Sequence, residues 1–299
     1  MNTAILLTPD FALILFGFVL NRFSHWGWTR EFWEGLEKLI YFVLFPALLF
    51  NSIARTHIDL ALAGPAMVAA ALLMLIGIAF ALAGKWLIKP DERTFASVFQ
   101  CAFRFNSYVG LAIMGRLYGE PGIAAFGLVI GVAIPLANIA SVWALARHAE
   151  RGLLGELVRN PLLVATACGM LYSLSGLPVP ELAQLVLTRM GNASIALGLL
   201  AVGAALTIDD AGRAAGIGSY LLAVKLVVLP AAAFALARWL GVTGIYFQAL
   251  LILAALPVAT SAYVLANRMG GDGRAVALLV SVSTLLGMAT IPLWLLAAG

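Results

Sequence analysis

Residues 104–119, RFNSYVGLAIMGRLYG, put a guanidinium, an amide, a hydroxyl and a phenol into a stretch otherwise apolar enough to sit in hydrocarbon. A second apolar stretch, LILAALPVATSAYVLAN at 251–267, is interrupted at Pro257. Proline has no N–H and its ring clashes with the carbonyl four residues back, here Leu253, so a helix should kink or unwind there. The N–H groups that follow, from Val258 to Thr260 and Ser261, would then form the positive end of a half-helix. In the first stretch Gly110 permits unusual backbone angles, which predicts a break between Asn106 and Ala112. Two such ends meeting inside the protein make a site for an anionic group. Arg104 could hold a carboxylate through two parallel hydrogen bonds. Asn51, Asn106, Ser107, Tyr108, Thr260, Ser261 and Asn267 are candidate donors around it. Other readings stay open: Pro257 as a plain kink, Arg104 snorkelling to headgroups, and the polar side chains bonding helix to helix.

Other chemistries find no support in the residues. No HExxH and no GxSxG occurs, and His25, His57 and His148 lie far apart in loops, which argues against an intramembrane enzyme. Cys101 and Cys168 fall in apolar spans and read as small buried hydrophobes, neither disulfide nor metal site. No cofactor or metal is expected. Every Asp and Glu is read at a span end or in a loop, Asp10 and Asp209-Asp210 included, so a carrier built on deep carboxylates is disfavoured. A substrate that brings its own negative charge is favoured. Lys225 lies inside an apolar span, where snorkelling or a structural pairing is the reading.

The elements that must position these residues are membrane spans. The chain is 63% hydrophobic and 11% charged over 299 residues, against roughly 25% charged in soluble domains. A net charge of +4 follows the loops and is no nucleic-acid signature. Ten apolar runs of helical length can be drawn, at about 9–21, 39–55, 64–84, 94–117, 121–146, 160–176, 190–208, 217–238, 245–267 and 274–297. A polar connector at 147–159 separates a first five-span half, 1–146, from a second, 160–299. The N-terminus lacks a basic leader, so the first span is read as retained. Alternate loops on one side receive Arg22, Arg30, Lys38, Lys85, Lys89, Arg93, Arg147, Arg151, Arg159, Arg213, Arg268 and Arg274, whereas the other side receives only Arg55, Arg116, Arg189 and Arg238. The richer side should be cytoplasmic, with both termini on the other. With five spans per half, the second half must enter the membrane upside down relative to the first. Paired Gly/Pro-broken spans at matching places in two inverted halves point to a midplane transport site. The fourth and ninth spans are that pair, so the chain reads as a secondary carrier for a small organic anion.

The same residues carry a resemblance. FPALLFNSIA at 45–54, RFNSYVGLAIMGRLYG at 104–119, NPLLVATACGMLYSLSGLPVP at 160–180, ASIALGLLAVGAAL at 193–206, KLVVLP at 225–230 and ALPVATSAYVLANRMGGD at 255–272 together resemble the auxin efflux carrier family. Its plant branch is the PIN-FORMED auxin carriers, and it includes bacterial permeases associated with malate and malonate. The resemblance implies an all-α membrane fold similar to bile-acid symporters and sodium/proton antiporters. That fold has two inverted five-helix repeats whose fourth and ninth helices are broken and cross. It also implies an elevator-type mechanism with spans 1, 2, 6 and 7 as scaffold, a homodimer, and a place in the bacterial inner membrane. The family's crossover asparagine falls on Asn106 and its crossover proline on Pro257. Ala112 stands nearest to where the family usually has a second proline, and the long plant loop is reduced to about 147–160, so auxin itself is not implied. The expected substrate is a carboxylate or an auxin-like indole acid, with a sodium-coupled symporter of the same fold as the alternative.

Overall fold

A computed structural model describes residues 3–23, 28–56, 60–145, 161–206 and 215–298. The connector at 147–159, the three histidines, Asp209-Asp210 and the side chain of Asn267 lie outside the described residues. Among the described residues the regular structure is all helix.

In chain order, α1 spans Thr3–Phe23; α2, Arg30–Leu39, passes through a wide turn, Ile40–Leu44, into α3, Phe45–Arg55. Next come α4, Leu60–Ile88; α5, Glu92–Val98; and α6, Ser107–Leu145. Gly119, at φ 63° and ψ −149°, divides α6 into two helical runs. After the connector follow α7, Pro161–Ser175; α8, Glu181–Ala204; and α9, Ala215–Ala223, which runs through the wide turn Val224–Val228 into α10, Leu229–Leu240. The chain ends with α11, Gly244–Ala255; α12, Ser261–Arg268; and α13, Gly273–Ala297.

Among the described residues, six helical stretches, at 31–55, 61–88, 92–145, 181–204, 215–240 and 273–297, are long and apolar enough to cross a membrane, and shorter apolar helices lie at 164–175 and 244–255. With this composition the molecule is an integral, multi-pass membrane protein.

Sequence accounts for the local geometry. Asp91 caps α5, its side chain accepting from Thr94 N at 2.9 Å, a typical aspartate N-cap. Each wide turn ends just before a proline, Pro46 or Pro230. Proline cannot donate to the carbonyl four residues earlier. For Pro230 that carbonyl is Leu226, and it accepts the Trp294 indole N–H at 2.9 Å instead.

Helices α1 and α8 approach backbone to backbone, as small residues allow in membrane proteins. A Cβ on Gly203 would run into the Ile14 carbonyl, and one on Gly17 into the Leu200 carbonyl. Gly203→Ala should therefore destabilise by about 1–3 kcal/mol, the usual scale for an overpacked contact. Among the described residues, nothing lies within 4 Å of the would-be Cβ of Gly35, in α2. Gly35→Ala should stabilise by up to about 1 kcal/mol through helix propensity. Thermal unfolding in detergent checks the two signs, and equal shifts would refute the close-contact account.

Two expectations need correcting. Asp10 is not a span-end acid: it lies well inside α1, is 4% exposed, and takes Arg116 Nε and Nη2 at 2.7 Å each. The sequence reading missed this because a bidentate guanidinium from α6 neutralises the carboxylate. Of the two cysteines, Cys101 is buried but Cys168 is exposed on the outer face of α7.

Candidate functional site

Helix α5 tightens into one narrow turn, Phe99–Ala102, after which Phe103–Asn106 are not helical and α6 restarts at Ser107. Asn106 makes the restart possible. Its side-chain oxygen accepts from Tyr108 N at 3.1 Å and Val109 N at 3.4 Å, taking two amides that a helix start leaves without partners. The break thus lies ahead of the position predicted from Gly110. That glycine sits inside α6, and its bare Cα lets Phe126 and Leu256 close in where a Cβ would collide.

The second break follows Ala255. Leu256, immediately before Pro257, is extended at φ −59° and ψ 147°, as the clash with a following proline ring favours. Helix α12 begins only at Ser261. The breaks meet: Asn106 N–H donates to the Pro257 carbonyl at 2.9 Å. Gln100, fully buried, strengthens the junction by donating to the carbonyls of Ser97 and Ala262 at 3.1 and 3.2 Å. Its side-chain oxygen accepts from Arg104 Nη1 at 3.2 Å, and Arg104 Nη2 reaches Ser261 Oγ at 3.0 Å. Arg104 is therefore half-buried and anchored on both broken segments.

Beside this junction lies a cleft of about 110 Å³, with Arg104, Ser107, Asn138, Ala259, Ser261 and Tyr41 among its walls. Among the described residues that line it, none is acidic. Arg104 and the start of α12 give it a positive character, and the hydroxyls and the Asn138 amide supply neutral hydrogen bonds. Such a chamber suits a small anion.

The remaining predicted residues divide. Thr260 and Pro257 are buried in the junction, and Val258 spends its N–H on Ser283 Oγ at 3.0 Å. Val258 is thus a structural member and not a free donor. Tyr108 stacks on Phe45, ring centroids 4.4 Å apart and 15° from parallel, and does not line the cleft. Asn51 lies elsewhere, its amide donating to Thr188 Oγ1 at 3.3 Å between α3 and α8. Asn106 keeps one unspent group: its side-chain amide nitrogen is buried and has no hydrogen-bond partner among the described residues.

Gln100, Asn138 and Ser283 were absent from the sequence reading. Gln100 carried a signal, since it stands four residues before Arg104 and so one helical turn away. Asn138, an amide within an apolar span three residues after Pro135, carried a weaker one.

Comparison with known proteins points to membrane transport. A family model described as "Membrane transport protein" matches residues 147–295. The "Uncharacterized transporter YfdV" of Escherichia coli K12 is 22% identical over 97% of this chain and 95% of its own. An "Uncharacterized transporter" of Methanothermobacter thermautotrophicus is 23% identical over 94% of each chain. The "Putative malonate transporter" of Rhizobium meliloti is 24% identical over 96% of this chain and 92% of its own. Broken helices meeting beside a polar cleft, in a chain with these relatives, define a membrane transporter. These matches are consistent with a transporter of the auxin efflux carrier family.

Proposed function

We propose that this transporter is a secondary carrier of a small organic anion, a short carboxylate, bound in the cleft at the junction of the two breaks. The observation that carries this reading is the Asn106 N–H to Pro257 carbonyl bond, which joins two interrupted spans of opposite halves beside an acid-free, arginine-lined chamber. At about 110 Å³ the cleft is far below the roughly 300 Å³ at which pockets for drug-sized ligands begin. That favours a carboxylate of a few carbons over an indole acid, and the name of the Rhizobium relative points the same way.

In this reading the ten apolar segments form two inverted five-span halves with both termini outside the cytoplasm of a bacterial inner-membrane protein. Segments α1, α2–α3, α7 and α8 serve as scaffold, and the halves of the junction move together as an elevator in a homodimer. The test is uptake by purified protein in liposomes. Malonate should enter saturably, with competition from other short dicarboxylates and little from indole acids. The absence of saturable flux for any carboxylate would sink the proposal. Arg104→Gln should weaken malonate affinity by about 10- to 100-fold, the scale of one charge-assisted contact. Losing the guanidinium also weakens the contacts to the buried Gln100 oxygen and to Ser261, so the unfolding temperature should fall modestly; an affinity loss below threefold would remove Arg104 from the site.

A further inference from the structure

The carbonyl end of α11 poses a separate problem. Pro257 deprives the Leu253 carbonyl of its helical donor. The next donor in line, Val258 N–H, would have served Ala254 but goes to Ser283 Oγ at 3.0 Å. One ammonium meets both abandoned carbonyls: Lys225 Nζ donates to Leu253 O at 3.4 Å and to Ala254 O at 3.3 Å. Lys225 is wholly buried, on the wide turn Val224–Val228. Its Nζ also lies 6.0 Å from the centroid of the Phe105 ring, which belongs to the break of the other half. Among the described residues no carboxylate pairs with it.

A buried ammonium lacking a carboxylate is costly unless other groups compensate it. Here the compensation comes from two main-chain carbonyls at the negative end of a half-helix, with an aromatic face on another side. Carbonyl ends of broken helices are also the groups that hold sodium in transporters with a midplane site. We infer that Lys225 is a covalently tethered replacement for a bound alkali cation. Its ammonium fills a carbonyl-lined position that would otherwise take sodium, so the transport cycle proceeds without a sodium ion there. For coupling, this rests on the carrier reading; the cation-like position of the ammonium does not.

Unfolding temperatures of the purified protein in sodium, potassium or choline chloride at equal ionic strength test the inference. The wild-type value should be the same in all three. Lys225→Ala should lose about 5 °C or more in choline, since it strands two buried carbonyls, and should regain most of that loss in sodium or in ethylammonium. Lys225→Ser, with a hydroxyl added to the vacated space, should respond in the same direction and provides a second variant if alanine folds poorly. Recovery of either variant only in the presence of sodium or ethylammonium supports the inference. A wild-type protein stabilised by sodium over choline overturns it, as do variants indifferent to every cation or unrecoverable in all of them. These readings need no flux, so an inactive carrier with cation-dependent variants would refute the proposed transport and leave this inference standing.

Discussion

Asn106→Ala should abolish malonate uptake, by 100-fold or more, while lowering stability by only about 0.5–2 kcal/mol, the usual cost of removing an N-cap. The two effects separate because Asn106 has two tasks. Its side-chain oxygen holds Tyr108 N and Val109 N, and so fixes where α6 begins. Its main-chain N–H holds Pro257 O, and so fixes where the two breaks meet. Without the cap, the 103–106 segment can extend or rewind by a residue. That would shift Arg104 and Ser107 relative to Ser261 on the far wall of the cleft. Asn106→Asp distinguishes a cap from a substrate contact. The carboxylate still accepts from the same amides and gains from the positive helix end, which offsets part of the cost of a charge at a position 2% exposed, so stability should fall no further than in the alanine variant. The added negative charge beside the cleft should nevertheless suppress anion uptake. Uptake by both variants in liposomes, together with their unfolding temperatures, checks this pattern. Wild-type rates in Asn106→Asp would show that no anion approaches the residue.

How far the site could be read from sequence depends on whether a residue's role is local. Pro257 announces its break because a missing N–H acts on its own helix. Asn106 is legible for a similar reason: asparagine is a preferred cap, and its partners lie two and three residues away. Gly110 misled because glycine serves two purposes. Its freedom of backbone angle suggested the break, whereas its lack of a side chain is what α6 uses, to admit Phe126 and Leu256. Tyr108 and Asn51 have the chemistry of ligands but face Phe45 and Thr188 across helix interfaces, and the facing direction of a polar residue in an apolar span cannot be derived without its neighbours. Lys225 and Asp10 were least legible, since what makes each tolerable comes from distant helices: carbonyls of α11 for one and a guanidinium of α6 for the other.

That last pair supports a second large effect, an unequal one. Arg116 and Asp10 make two parallel hydrogen bonds, but the Asp10 side chain is 6% exposed and the Arg116 side chain 36%. Removing the guanidinium strands a carboxylate that water can scarcely reach. Removing the carboxylate strands a guanidinium that can still be hydrated at its open edge. Arg116→Ala should therefore destabilise by about 3–5 kcal/mol, as breaking a buried pair does. Asp10→Ala should cost only about 1–2 kcal/mol, nearer the value of one lost charge-assisted bond. The double variant Asp10→Asn with Arg116→Gln, which removes both charges and keeps amide donors and acceptors, should recover most of the larger loss. A double-mutant cycle of unfolding temperatures isolates the coupling. If the two alanine variants fall equally and by little, the pair is behaving as a surface contact and the burial of Asp10 does not govern it. The same corner carries a second pair, Arg55 to Glu120 at 2.7 Å, with both side chains about a third exposed. Breaking that one should cost under about 1 kcal/mol. The contrast between the two pairs then reads out burial together with the second hydrogen bond that only Asp10 and Arg116 make.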